Sequence, residues 1–141
     1  MISESTADST FGKVELTIPS KAEWVAVARL AIAAVASRLR FSVDEIDDIK
    51  LAVAEACTNC IQYGTPADEL NLTCEVFSDQ LRVAVRDRGA TLRLESVGDG
   101  RFGEGSDDLG VFLIRALMDS VEYRFSKRDG TELVMTKRVA L

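Results

Sequence analysis

Glu55 and Asn59 are the residues of this chain whose types and spacing most directly suggest chemistry. Four positions apart in a helix, they stand one turn from each other on one face, with Tyr63 a further turn along. A carboxylate placed there can take a proton from a hydroxyl or orient a nucleophile. A carboxamide one turn away can offer its oxygen to a hard cation. The same pair is common on solvated helix faces, so spacing alone does not assign it.

The stretch that must hold them, 44–64, reads as one helix of about five turns. Ile46, Ile49, Val53, Ala56, Cys57 and Cys60 recur at three- and four-residue steps and form a stripe that must be buried. Ser42, with Glu45 three residues on, is an N-cap with a capping-box pattern, and Gly64-Thr65-Pro66 stops the helix.

The elements that position this helix follow from the same patterns. Residues 13–18 alternate and read as a first strand ended by Pro19; Ser20 and Glu23 then repeat the capping-box spacing for a helix over 21–39. That helix is alanine-rich and unusually apolar, so it should be covered on more than one side, by the sheet and by another subunit or partner. Strands at 70–77 and 81–85 form a hairpin through Ser78-Asp79-Gln80. Residues 88–108 have no sustained period and carry five of the nine glycines, which marks a functional or mobile loop. A short helix at 109–118 and strands at 121–126 and 132–139 complete the chain, the last two joined by Lys127-Arg128-Asp129-Gly130. The expected fold is an α/β two-layer sandwich, three helices on one face of a mixed, mostly antiparallel five-stranded sheet. One domain covers 12–141, and 1–11 is a polar, disordered tail.

Composition narrows the functions available. With 141 residues, 47% hydrophobic and 28% charged, the chain suits one ordinary globular domain. Its net charge of −6 and lack of a Lys/Arg cluster argue against a nucleic-acid groove and favour a basic protein partner. It has no histidine, which excludes a histidine base, a Cys/His zinc site and a phosphohistidine relay within this polypeptide. Cys57, Cys60 and Cys74 are an odd set, and Cys57-x-x-Cys60 lies inside a helix without a second pair, so buried free thiols are expected. The longest apolar run, 24–36, is broken by Arg29 and too short to span a bilayer, and the N-terminus has no signal-peptide pattern. The expected location is cytoplasmic.

Three further pieces join the Glu55-x-x-x-Asn59 pair. Asp87-Arg88-Gly89 follows the 81–85 strand; a carboxylate there can accept from an exocyclic amine, and glycine lets a flat ring approach the backbone. Leu109-Gly110-Val111 opens a helix after the glycine-rich loop, where free N–H groups and the helix dipole favour phosphate. Gly130-Thr131 enters the last strand with a hydroxyl able to bind a base edge. Each piece alone is weak. Their order on these elements is much more specific.

Ser37-Arg38-Leu39, Asp44-Glu45-Ile46 and Glu55-Ala56-Cys57-Thr58-Asn59, together with this order, resemble the RsbW-type anti-sigma factor serine kinases of the GHKL (Bergerat-fold) ATPase superfamily. The resemblance covers about 14–139. It implies an ATP/ADP site in which Glu55 is the catalytic base toward a serine hydroxyl and Asn59 the Mg²⁺ ligand. It assigns Asp87 to the adenine amino group, Gly89 to ring clearance, Thr131 to adenine support, and Leu109 and Gly110 to the phosphates, with 88–108 as a lid. It further implies a sigma factor as the inhibited partner, an antagonist with a STAS domain as the phosphorylated one, and a homodimer. Arg29 matches an arginine on the partner-facing side of the family's first helix. Arg88, Arg93 and Arg101 are candidates for the γ-phosphate, against a reading as solvated loop charges.

One departure concerns the phosphate loop. Asp107-Asp108 stand where the family has glycines. A carboxylate roughly 6 Å from a phosphate charge costs about 3 kcal/mol at an effective dielectric near 20 before screening. Asp108 is also a good N-cap for a helix beginning at Leu109 and would compete with phosphate for its N–H groups. The rival expectation is therefore a non-catalytic module that holds its partner and binds nucleotide weakly. A histidine-kinase catalytic domain would share the nucleotide site but needs a phosphoacceptor helix, and none is visible. Tyr63, where many relatives carry histidine, is a smaller departure.

Overall fold

Alternating strands make the sheet and periodic helices cover it. The structure, a computed structural model, describes residues 11–63, 69–87, 107–126 and 130–140. Its strands are β1 (Gly12–Pro19), β2 (Glu69–Val76), β3 (Gln80–Asp87), β4 (Ser120–Ser126) and β5 (Gly130–Arg138). They lie in the order β1-β2-β3-β5-β4, and all four neighbouring pairs are antiparallel. The expected tail at 1–11 lies, except for Phe11, outside the described residues, as do the helix stop at 64–66, the loop at 88–106 and the turn at 127–129.

Three α-helices, α1 (Val25–Ala36), α2 (Val43–Tyr63) and α3 (Asp107–Leu117), pack on one face. Helix α1 lies against β1 and β2, α2 against β3 between its two neighbours, and α3 beside β4. Beneath them the inward positions of the strands (Ile18, Leu70, Leu72, Cys74, Leu81, Val83, Val85, Leu133, Met135) are buried. The predicted stripe on α2 meets them: Ile49, Val53, Ala56, Cys57 and Cys60 are buried, and Ile46 partly so. Each fully buried Leu or Ile here contributes roughly 1.5–3 kcal/mol. The opposite face of the sheet carries polar side chains, including the Arg82–Glu75 and Arg86–Glu132 ion pairs at 3.4 and 3.5 Å.

The two predicted capping boxes diverge. At α2 the Ser42 N–H donates to Glu45 Oε1 (2.8 Å) and the Glu45 N–H to Ser42 Oγ (3.0 Å), so both orphan donors are satisfied. Ser20 caps nothing. The chain turns at once after Pro19, with the Lys21 N–H on the Pro19 carbonyl (2.8 Å), and enters a 3₁₀ turn at Ala22–Trp24 whose N-cap is Lys21. Backbone bonds satisfy that corner, and the α-helix starts only at Val25. It ends at Ala36, and 37–40 form turns rather than helix.

Boundaries near the predicted site also move. Strand β3 runs on to Asp87, so this aspartate is the strand's last residue rather than one that follows it. Strand β5 starts at Gly130 and thereby includes Thr131. Helix α3 begins at Asp107, which puts Asp108 inside the first turn instead of at the cap. Negative charge in a helix's first turn is favoured by the helix dipole.

Candidate functional site

Connectivity brings the predicted residues to one end of the sandwich. At roughly 1.5 Å per residue α2 is about 31 Å long, so it spans the sheet. Its last turns, which carry Asn59, lead into β2, whose Leu70 lies opposite Asp87 of β3. On the other side of β3, Asp87 lies opposite Thr131 of β5. Helix α3 hands the chain to β4 at Ser120, which pairs with Thr136 at the far end of β5. The helix therefore runs back over the sheet, and its first turn, with Leu109 and Gly110, points to the Asp87 and Thr131 end.

Within that cluster two polar residues break the apolar pattern. Asp87 is 1% exposed and continues the inward series Leu81, Val83, Val85, so its carboxylate faces the helix layer. Asn59 is 7% exposed, at the margin of the buried stripe of α2, and its Nδ2 has no hydrogen-bond partner. An unmet buried amide costs about 1–3 kcal/mol, so it calls for a partner such as an ordered water, an ion or a ligand. The two ends of a carboxamide interchange by a half-rotation, so the same group can present its oxygen to a cation or its N–H to a phosphate. Asn71 Oδ1, on the opposite sheet face, is also without a partner. The Asn59 orphan gains meaning from Asp87 and the start of α3, which accompany it.

Glu55 is half-buried one turn before Asn59, where it can reach a hydroxyl presented from solvent. Arg29 is exposed on α1, consistent with a contact residue. Gly89, Arg88, Arg93 and Arg101 lie outside the described residues. Among the described residues no group of three or more His, Cys, Asp or Glu side chains could hold a metal by itself. A lone carboxamide oxygen such as that of Asn59 would serve an ion like Mg²⁺, which keeps several waters and takes one or two protein oxygens alongside substrate phosphates.

The thiols are core groups. Burial pushes Cys57 up to about 12, helped by neighbouring Cys60, and burial with Glu75 nearby does the same to Cys74. Thiols held protonated in this way are poor nucleophiles and poor metal ligands. A support not visible in the sequence fixes α3. Lys137 Nζ donates to the Leu117 carbonyl (2.7 Å), and Asp119 accepts from the Arg138 N–H (2.6 Å). Besides Arg115 in its own last turn, the helix's C-terminus meets a second cation from a strand twenty residues later, which local patterning cannot reveal.

A two-layer sandwich with a buried amide and carboxylate gathered at a helix start is the frame of a nucleotide-binding ATPase. Residues 18–137 match the family model described as a histidine kinase-like ATPase domain, and the chain belongs to that family. Within it, the chain belongs to the RsbW-type serine/threonine kinases. Serine-protein kinase RsbW of Halalkalibacterium halodurans is 38% identical over 136 residues, covering 88% of this chain and 82% of the relative. The proteins of the same name from Bacillus cereus and Bacillus mycoides are each 34% identical over 140 residues, covering 92% of this chain and 86% of the relative. No described helix is long and apolar enough to cross a membrane.

Proposed function

We propose that this kinase holds Mg-ATP between the last turns of α2, the end of β3 and the start of α3, and transfers its γ-phosphoryl group to a serine of a partner protein. Asp87 accepts a hydrogen bond from the adenine amino group, with Thr131 beside it and Gly89 leaving room for the ring. Leu109 and Gly110 offer backbone N–H groups to the phosphates. Asn59 supplies its oxygen to Mg²⁺. When bound, that ion neutralises charge on the transferring phosphoryl group. Glu55 takes the proton as the serine oxygen bonds to phosphorus, the bond from phosphorus to the β–γ bridging oxygen breaks, and ADP leaves. The observation that supports this reading best is the orphaned amide of buried Asn59 at the same end of the sandwich as buried Asp87.

The biological reading is partner switching. The chain acts as an anti-sigma factor that holds a sigma factor and releases it for a STAS-domain antagonist, the substrate of phosphorylation. It works as a homodimer in the cytoplasm, and exposed Arg29 contacts the partner. Incubation with Mg-ATP and the cognate antagonist tests it: phosphoserine is expected with wild type and not with Glu55→Ala. Equal transfer by the two proteins would remove Glu55 as base.

A second reading, a binding module with weak nucleotide affinity, is favoured by Asp107 and Asp108 in the first turn of α3. Calorimetric titration with Mg-ADP separates the two. Tight binding by wild type supports the kinase; binding that emerges only in Asp107→Gly/Asp108→Gly supports the module.

A further inference from the structure

Leu51 of α2 and Phe112 of α3 are large apolar side chains left in solvent, 43% and 67% exposed. Leu51 belongs to the outer line of α2, with exposed Asp44, Asp47, Thr58 and Gln62. Phe112 shares the outer side of α3 with exposed Ala116 one turn on, while Ile114 and Met118 face the core. Neither side chain belongs to the stripe that packs its helix on the sheet.

Their places along the two helices bring both close to Glu55. Leu51 stands one turn before Glu55, which is half-buried. Helix α2 finishes, and α3 begins, at the Asp87 and Thr131 end, so these neighbouring helices run antiparallel. Counted from that end at roughly 1.5 Å per residue, Glu55 lies about 12 Å down α2 and Phe112 about 8 Å down α3. Packed helices stand about 8–10 Å apart. Phe112 therefore rises across from Glu55, and apolar side chains from two helices rim the approach to its carboxylate. Nucleotide does not account for them. Leu51 lies two turns before Asn59, away from the Asp87 end, and both side chains point outward, the direction from which a hydroxyl must reach Glu55.

We propose that Leu51 and Phe112 grip the serine-bearing segment of the partner protein, through an apolar side chain two positions from that serine. This rests on the kinase reading above and names what that site selects. The spacing follows from chain geometry. In an extended segment, residues two apart point the same way and lie about 6.6 Å from each other. One helical turn separates Glu55 from Leu51, about 5–6 Å between Cβ atoms. A serine presented to Glu55 in an extended segment thus sets its second neighbour over Leu51, with Phe112 closing the other side. Charge gives the segment a direction. Beyond Leu51, Asp44, Asp47 and Asp48 supply three carboxylates against the one ammonium of Lys50, which lies 3.6 Å from Asp47. A basic side chain further along the partner suits that end of α2.

Steady-state phosphotransfer to the cognate antagonist at saturating Mg-ATP tests the contact. Leu51→Ser and Phe112→Ser alter exposed side chains, so both should melt at the wild-type temperature. Each should raise KM for the antagonist about tenfold with kcat within about twofold, and Leu51→Met should keep the wild-type KM. Asp47→Lys should raise KM about threefold at low salt and much less at high salt. Changing the antagonist's apolar residue two positions from its serine to Ser should also raise KM about tenfold, and adding Leu51→Ser should then change little. Three results would overturn the contact and leave the kinase reading standing: unchanged KM in Leu51→Ser and Phe112→Ser, full additivity across the pair, or an antagonist polar at both such positions. Lowered Mg-ADP affinity in Leu51→Ser would also overturn it, by moving that residue to the nucleotide site. Wild type that forms no phosphoserine overturns the kinase reading, and this inference with it.

Discussion

Helices α1 and α2 lie side by side on one sheet, and each departs from the inside–outside rule in the opposite sense. Helix α1 is apolar on nearly all sides and leaves Leu30 and Val27 in solvent. Helix α2 is amphipathic, yet hides Asn59 at the margin of its apolar stripe. An exposed apolar flank offers surface to another macromolecule, and a buried amide without a partner offers a polar group to a water, an ion or a ligand. Under the proposed function the two helices would divide the work, recognition falling to the first and chemistry to the second.

Substitutions can break this contrast from either side. The largest effect should come from Glu55→Ala, which is expected to lower phosphotransfer by about 10²–10⁴-fold while Mg-ADP affinity stays within about twofold. Loss of nucleotide binding in that variant would move Glu55 from catalysis to binding. Asn59→Leu should act on two observables in opposite directions. Without nucleotide it should be more stable by about 1 kcal/mol, because a buried orphan is replaced by an apolar side chain of similar size. It should also lose the extra thermal stabilisation that Mg-ADP gives wild type. A destabilised Asn59→Leu would mean that the amide is satisfied in the fold.

The thiols give an alkaline signature of intermediate size. Cys57 and Cys74, raised from 9.0 to about 12, stay protonated in the folded chain while the unfolded chain ionises. Their contribution is therefore full below pH 9 and lost progressively between pH 9 and 12. By pH 10 the two together should cost about 3 kcal/mol of stability, and Cys57→Ala/Cys74→Ala should flatten that slope in melts at several pH values. The smallest effect separates the two helix starts: Ser42→Ala should cost about 1 kcal/mol through the lost capping box, and Ser20→Ala close to nothing.

What the sequence disclosed follows the range of the forces involved. The α2 stripe, its Ser42–Glu45 box and the 70–85 hairpin are local, and each is legible from neighbours a few positions away. Ser20 and Glu23 show the same spacing as Ser42 and Glu45, but the turn after Pro19 is settled by backbone bonds, so the spacing misleads there. The insertion of β5 between β3 and β4, which sets Thr131 opposite Asp87, joins residues 44 positions apart, and no periodicity encodes it. Nor does periodicity foretell that Asn59 would be buried with its amide nitrogen unmet, because a polar residue at that spacing usually faces water.

The central claim is that buried Asp87 reads an adenine ring at the end of β3. Calorimetric titration of wild type and Asp87→Asn with Mg-ADP and Mg-GDP tests it most directly. A carboxylate accepts from the amino group of adenine but repels the carbonyl oxygen that guanine presents at that position. Wild type should bind ADP at least about 100-fold more tightly than GDP, and folded Asp87→Asn should lose most of that affinity and preference. Undiminished, still adenine-selective binding by Asp87→Asn would contradict the account.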